Sequence, residues 1–442
     1  MSGRRSTLLA LAILATGCGD PSPDAATRVV LVTVDTWRLD GFTPELMPRT
    51  AAFAQRGLVF DQHYAASSVT QPTHASLFTG SAPWVHGVTR NGEVLNEGVT
   101  TLAEHLSRQG FSTHGIVASF PLSRRFGFAQ GFDEYEDDFD ELYVQVWEGE
   151  ETDGGRFFSL AESVTERALG ALDRARGERQ FFWFHYFDPH DPYGDAGGGD
   201  AAGHAYPIQE LLRLAGEGSP EIGRELERAR GRYAEDLRAL DRSLGRLFDR
   251  LAADEADFAT HVLVTADHGE SFGELGALGH GKRLTREQVQ VPLVLVSPRV
   301  SPGRRGELGG SADVARTLLG AAGLPAGELG GRDLLLEGGS PSVFGMRRTF
   351  AVEEPRPELL ADGRRRPLPA QWFYVVQAGE LFSGNGDQVL REDDLARPVE
   401  GARAEELARA FGGLAELARA VSSTELLDPD TQAALRALGY GH

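Results

Sequence analysis

Two stretches of the chain are almost unbroken runs of β-branched and aliphatic residues, Arg28-Val-Val-Leu-Val-Thr-Val-Asp35 and His261-Val-Leu-Val-Thr-Ala-Asp267. A strand with one wet face would alternate polar and apolar positions. These runs instead predict strands buried on both faces of a largely parallel sheet. Both stop on an aspartate. Phe111–Ser119, the aromatic run Gln180–Phe187 and Val289–Val296 predict further strands. Elsewhere apolar residues recur every three or four positions, over Pro48–Gly57, Thr100–Gly110, Ser159–Arg176 and Tyr233–Leu251. These predict helices laid on the sheet, the second stopped by Gly110. Alternating strand and helix patterns of this kind predict an α/β fold, an α/β/α sandwich around a mixed, largely parallel central sheet. Past Gly338 the pattern breaks into short strands (Thr349–Val352, Gln371–Ala378) and a helix-rich tail. That predicts a small C-terminal α+β subdomain over residues 339–442, after a main domain over 28–338. The acidic run Gly131–Glu141 reads as a solvated face, since it lacks the glycine and ligand spacing of a calcium loop. The Gly/Ala-rich Asp195–Asp200 reads as a mobile loop at a site entrance.

Charge narrows the possible partners. The 442 residues carry a formal net charge of −21, which argues against nucleic acid or an anionic membrane surface as a general partner. An anionic substrate would then need a local positive site, either a metal or a few placed cations. Lys282 is the one lysine in a chain that otherwise writes its cations as arginine.

The one cysteine, Cys18, excludes an internal disulfide framework and a multi-cysteine zinc site. It follows a basic start (Arg4, Arg5) and the apolar run Leu8–Ala15, which is too short to span a bilayer. Residues 1–18 resemble a bacterial lipoprotein signal with Cys18 as the acylated N-terminus, and residues 19–27 read as a tether. A plain secretory signal is the alternative. The expectation is a cell-envelope protein on the periplasmic face, lipid-anchored or secreted, which meets membrane only through that anchor.

The densest local signal is Val69-Thr70-Gln71-Pro72-Thr73-His74-Ala75-Ser76-Leu77-Phe78-Thr79-Gly80. A polar run enters what reads as the first turn of a helix, with Thr73 as its N-cap. The free N–H groups and dipole of such a start suit an anionic group. The stretch resembles the nucleophile motif of the sulfatase branch of the alkaline phosphatase superfamily, Cys/Ser-x-Pro-x-Arg-Ala-Ser-Leu-Leu-Thr-Gly. Pro72, Ala75, Ser76, Leu77, Thr79 and Gly80 fit in one register. Thr70 then takes the nucleophile position and His74 that of the arginine.

The resemblance extends over about Val29 to Leu336 and implies the rest of a site. Asp35 and Asp267-His268-Gly269 match its metal motifs, with Thr36 where a second aspartate is usual. Asp188-Pro189-His190-Asp191-Pro192 matches its Pro-His turn, and Gly279-His280-Gly281 with Glu287 and Val291-Pro292-Leu293 matches its last motif. Asp35, Thr36, Asp267 and His268 would hold a divalent ion, zinc or manganese ahead of calcium given the mixed carboxylate and imidazole donors. A second ion on Asp188, His190 and His280 is not demanded by the spacing. Thr70, His74, His190 and His280 would be catalytic, and Lys282 would bind the anionic ester substrate. His185 and His114 read as packed core histidines. The family's Gly-Lys-Trp-His-Leu-Gly lysine and histidine fall on Ala118 and Phe120.

Three functions compete on these residues. One is an extracytoplasmic metal-dependent hydrolase of phosphate or sulfate esters, phosphoesters ahead. Another is a phospho-alcohol transferase acting on envelope lipids or glycans. The third is a binding protein with a decayed site.

Overall fold

The computed structural model describes residues 26–142, 145–147, 150–152, 156–194, 208–349, 358–366, 368–392 and 394–421. The signal sequence, most of the tether, the Asp195–Asp200 loop, most of Thr349–Val352 and the tail beyond residue 421 lie outside these residues. Eight strands make the central sheet: β1 (Ala26–Val34), β2 (Leu58–Tyr64), β3 (Ser112–Ile116), β4 (Glu134–Glu136), β5 (Arg179–Tyr186), β6 (Phe258–Ala266), β7 (Leu293–Val296) and β8 (Gly303–Gly310). Their order is β8-β2-β7-β6-β1-β5-β3-β4. All neighbouring pairs are parallel except the two made by β7. The sheet is therefore mixed and largely parallel, as the continuous apolar runs predict.

Strand β1 sits at the centre and supplies side chains to both faces. Val30, Val32 and Val34 pack with α4 (Ala161–Arg174) and α5 (Ile222–Ala253), whose Leu237, Leu240, Leu244 and Leu247 recur at helical spacing. Val29 and Leu31 face the other way, toward α2 (Thr70–Thr79), α3 (Leu102–Arg108) and α6 (Val314–Ala322). Helix α1 (Pro48–Ala54) closes the first layer through Phe53, stacked on Phe248 at 3.9 Å. Helix α3 has the full capping box of Thr101 and Glu104, and Gly110 follows it at φ 81°.

Three boundaries differ from the sequence reading. The first strand begins at Ala26, so two residues assigned to the tether already pair in the sheet. The acidic run contains β4, an edge strand whose Tyr135 is buried and donates to the Leu122 carbonyl at 2.5 Å. Alternation hides one apolar side chain among carboxylates there.

The third difference matters most. Helix α2 begins at Thr70, not after Thr73, and no side chain caps it. Pro72 explains the early start, because its fixed φ and missing N–H suit the first turn. Thr73 instead bonds back to Ser67, accepting from its N–H at 3.2 Å and donating to its carbonyl at 3.1 Å. The helix ends at Gly80, φ 66°, where a Cβ would lie 2.4 Å from the Gly330 carbonyl.

Beyond α6 the chain builds a five-stranded sheet from β9 (Ser342–Arg348), β10 (Gln371–Gln377), β11 (Glu380–Gly384), β12 (Val389–Arg391) and β13 (Asp394–Pro398). Helix α7 (Ala402–Val421) packs on it through Leu407 and Phe411. Among the described residues no helix is long and apolar enough to cross a membrane.

Leu240 is fully buried in the α5 stripe, whereas Arg238 on the same helix is exposed. Urea denaturation should find Leu240→Ala less stable by about 2–5 kcal/mol. Arg238→Ala should lie within about 0.5 kcal/mol of the parent. Equal effects would mean that α5 does not pack on the sheet by this face.

Candidate active site

Register and parity bring the candidate residues to one edge. Val34 pairs with Ala266 on one side and with Tyr186 on the other, so Asp35 and Asp267 leave the sheet side by side. Successive side chains of a strand point to opposite faces, so Thr33 and Asp35 lie on the α2 side. Thr265 and Asp267 of β6, and Trp183 and His185 of β5, share that side. Because β7 runs against its neighbours, the loop entering it reaches this same edge and carries His280, Lys282 and Glu287. Ligand sites of open α/β sheets form beyond such carboxyl ends.

The first turn of α2 descends onto this row. Trp183 Nε1 donates to Thr33 Oγ1 at 2.9 Å, and Thr33 Oγ1 lies 3.1 Å from His74 Nε2. His74 Nδ1 lies 2.9 Å from the Thr70 carbonyl, which can only accept. The proton of His74 therefore sits on Nδ1, and Thr33 donates to Nε2. Both ring nitrogens are used within the protein, and burial holds the ring neutral with a pKa of about 3. His74 thus fixes the Thr70 backbone. The Thr70 side chain, fully buried, lies close enough to Asp35 to stabilise its charged form.

Two buried clusters have metal-ligating atoms within 4.8 Å of one another: Asp35, Asp267 and His268, and His74, His185 and Asp267. Tautomers separate them. His268 Nδ1 donates to the Gly269 carbonyl at 3.0 Å, so Nε2 presents a lone pair, 3.7 Å from Asp35 and 3.6 Å from Asp267. His185 Nδ1 accepts from the Ala118 N–H at 3.3 Å, so its Nε2 carries a proton toward Asp35 at 3.8 Å. His74 offers no lone pair either: its Nδ1–H, 3.7 Å from Asp267, is donated to the Thr70 carbonyl, and its Nε2 accepts from Thr33. The imidazoles of the second cluster therefore present no free lone pair to a cation, and the first cluster is the set of ligands.

The first cluster fits a divalent cation. Both oxygens of Asp35, Oδ2 of Asp267, Nε2 of His268 and Oγ1 of Thr36 are buried without a hydrogen-bond partner among the described residues. Burial, with the charges of Asp267 and Glu270, pushes the Asp35 carboxyl well above its ordinary range. Burial likewise pushes Asp267 up to about 7. Two such groups side by side are costly without positive charge between them.

The shell around the cluster is built to hold it. Thr36 adopts φ 50°, which a β-branched residue rarely does. Tyr233 reaches from α5 to hold that turn, donating to the Thr36 carbonyl and accepting from the Arg38 N–H, both at 2.9 Å. Asp267 Oδ1 accepts from the N–H groups of Thr36 at 3.3 Å and His268 at 2.7 Å. Gly269 admits no side chain, since a Cβ would lie 2.0 Å from the Glu287 carbonyl.

Next to the cluster, His280 packs 4.5 Å from the His268 ring and 4.9 Å from the His190 ring. Its Nδ1 lies 3.1 Å from Glu270 Oε2, which also accepts from the Tyr193 hydroxyl at 3.0 Å. Burial opposes charge on His280, but Glu270 outweighs it and raises the imidazole above its ordinary value. His190 is stacked on Phe187 at 4.3 Å with Nδ1 on the Asp191 carbonyl, and burial lowers it to about 3. Asp188 accepts from the Ala161 N–H at 3.0 Å at the start of α4, and it joins neither metal-ligand cluster. Lys282 feels the charges of both Glu358 and Glu270, lines a cavity that no metal-ligand residue lines, and has its pKa lowered by burial.

Four residues here escape the sequence reading: Glu270, His185, Asn91 and Tyr233. Glu270 directly follows the Asp267-His268-Gly269 motif, which assigns it no role. His185 reads as core, and its parity with Thr33 is the signal that sets it apart. Asn91 Oδ1 accepts from the Gln71 N–H at 2.9 Å and so supports the first turn of α2, and nothing in its local sequence announces this. Tyr233 sits in the apolar stripe of α5 and reads as core.

Comparison with known proteins agrees with this geometry. The sequence model of the sulfatase family matches residues 27–324. The chain is 24% identical to a choline-sulfatase of Rhizobium meliloti (strain 1021) over 384 residues, spanning 75% of this chain and 73% of the relative. A phosphonate monoester hydrolase of Agrobacterium radiobacter superposes with a TM-score of 0.63 at 20% identity, over 89% of this chain and 95% of that one. A protein solved with its substrate D-glucosamine-2-N,6-O-disulfate superposes with a TM-score of 0.62 at 16% identity, over 92% and 99%. The chain belongs to the sulfatase family of the alkaline phosphatase superfamily, hydrolases of sulfate or phosphate esters.

Proposed function

We propose that the protein is a metal-dependent phosphoester hydrolase with Thr70 as its nucleophile. One observation carries this reading: the buried Thr70 side chain lies beside Asp35, in a cluster whose carboxylate and imidazole lone pairs find no hydrogen-bond partner among the described residues. Asp35, Asp267 and His268 would hold the cation, with the Thr36 hydroxyl available, and mixed donors favour zinc or manganese over calcium. Bound there, the ion supplies positive charge that acidifies a neighbouring hydroxyl and neutralises an oxygen of the ester.

The chain's own residues do the rest. His74 and Asn91 fix the first turn of α2, so Thr70 Oγ is aimed before substrate arrives. Oγ attacks phosphorus and gives up its proton to solvent, the bond to the leaving oxygen breaks, and His280, kept protonated by Glu270, gives that oxygen its proton. Water then attacks phosphorus, giving one proton back to the His280 imidazole. The bond from phosphorus to Thr70 Oγ breaks, phosphate leaves, and Oγ takes a proton back from solvent. His190 stays neutral and accepts or donates one hydrogen bond to the ester.

Phosphorus is preferred over sulfur for a chemical reason. Family members that use a formylglycine hydrate can expel sulfate internally, and threonine has no second hydroxyl to do so. Sulfate or phosphonate esters, as in the names of the relatives, are the secondary substrates on this reading.

A second reading, a binding protein with decayed catalysis, is favoured by Ala118 and Phe120 at the family's lysine and histidine positions. The neutral His74 in place of arginine points the same way. Two variants separate the readings. Thr70→Ala should lower kcat on an aryl phosphate ester by about 10³-fold or more while retaining stoichiometric metal and the parent unfolding midpoint. Asp35→Asn should lose the metal. Turnover unchanged in Thr70→Ala would remove Thr70 as nucleophile, and a metal-free parent protein would favour the decayed site. We also infer attachment to the envelope through Cys18, so Cys18→Ser should move the protein from the membrane fraction to the soluble periplasmic fraction. Unchanged partitioning would contradict the lipid anchor.

A further inference from the structure

A cavity of about 380 Å³ lies between the loop entering β7 and the C-terminal sheet, lined by Lys282 and by none of the metal-ligand residues. Lys282 and Arg283 line one wall, Arg347 of β9 and Arg366 another, and Leu360 and Trp372 supply apolar surface. Arg366 belongs to a short hairpin in which it pairs directly with Glu358.

The charges in this cavity do not balance. Glu358, itself buried, bonds Arg283 Nε at 2.5 Å and also acts on Lys282, Arg347 and Arg366. One carboxylate therefore serves four cations. Two other described carboxylates reach these cations and both are engaged, Asp362 by Arg364 at 2.6 Å and Glu270 by His280. Arg347 is only 1% exposed, yet among the described residues its guanidinium makes one hydrogen bond, from Nη1 to the Pro369 carbonyl at 2.7 Å. Its Nε and the Arg366 Nη1 are buried with no partner among the described residues. Arginine stays protonated even where burial lowers its pKa, so these donors carry charge.

We propose that this cavity is an oxyanion site, taking a sulfate, phosphate or carboxylate group on the forks of Arg347 and Arg366 and the ammonium of Lys282. Planar guanidinium groups with unused N–H donors match such groups in geometry and in charge. The oxyanion has two possible sources. It is either a second anionic group on the substrate whose ester lies at Thr70, or a free inorganic anion. The shared position of Lys282, two residues past His280 and within electrostatic reach of both Glu270 and Glu358, favours the first.

Calorimetric titration of the metal-loaded protein with inorganic sulfate tests the site. Arg347→Met and Arg366→Gln should each bind that sulfate about tenfold or more weakly, through loss of a charge-assisted contact. Metal content should not change. If Arg347→Met fails to fold, Arg366→Gln on the rim carries the comparison alone. No sulfate binding in the parent, or parent-like binding in the variants, would overturn the proposal. The latter result would place the ion at Thr70 instead. An aryl phosphate ester with and without a carboxylate then identifies the source. A KM raised by Arg366→Gln only for the carboxylated ester assigns the cavity to substrate, and equal KM values assign it to a free anion. The titration reads the cavity even if no ester turns over, so failure of the proposed hydrolysis and failure of this site are distinguishable.

Discussion

Everything at this edge of the sheet depends on keeping two carboxylates, Asp35 and Asp267, buried side by side. Their strands are adjacent, parallel and in register, so the apolar runs that build the core also deliver the two charges to one point. Among the described residues neither carboxylate is paired with an arginine or lysine, as the buried Glu93, Glu225 and Glu358 are. The N–H groups of Thr36 and His268 bond Asp267 Oδ1, and three carboxylate oxygens stay unsatisfied among the described residues. Buried like charges of this kind are strongly destabilising until a cation joins them. The site is therefore arranged around a charge that the polypeptide does not itself provide.

Much of the surrounding structure serves that arrangement. The Thr36 backbone at φ 50° stores strain of order 1–3 kcal/mol. The Tyr233 hydroxyl, anchored in the 32-residue helix α5, holds it from below. Glu270 holds His280 from the side, and Arg38 ties the Glu270 carbonyl to the same turn at 2.8 Å. Second contacts of this sort keep ligands and proton donors aimed, which is why they matter as much as the groups they orient.

The sheet was legible because burial on both faces imposes unbroken apolar runs, as in Arg28–Asp35 and His261–Asp267. The ligands were legible because they follow those runs directly, and the motif around Thr70 set the helix that meets them. What escaped was of two kinds. Helix α2 begins at Thr70 because of Pro72, a local preference that a search for a capping hydroxyl at Thr73 overlooked. His185, Tyr233 and Asn91 act through contacts far apart in sequence, and a histidine or tyrosine in an apolar stripe has the same local signature whether it packs or orients. Nothing local separates the members of the Arg364-Arg365-Arg366 run, yet the hairpin sets Arg366 against Glu358 while Arg364 stays exposed on Asp362.

The account stands on threonine acting at phosphorus. The most direct measurement is kcat/KM for an aryl phosphate ester and the matching aryl sulfate on one leaving group, with zinc, manganese and calcium each supplied. A phosphate ester turned over many times faster, in at least the preferred metal, is the expected result. A clear preference for the sulfate in all three metals would contradict it.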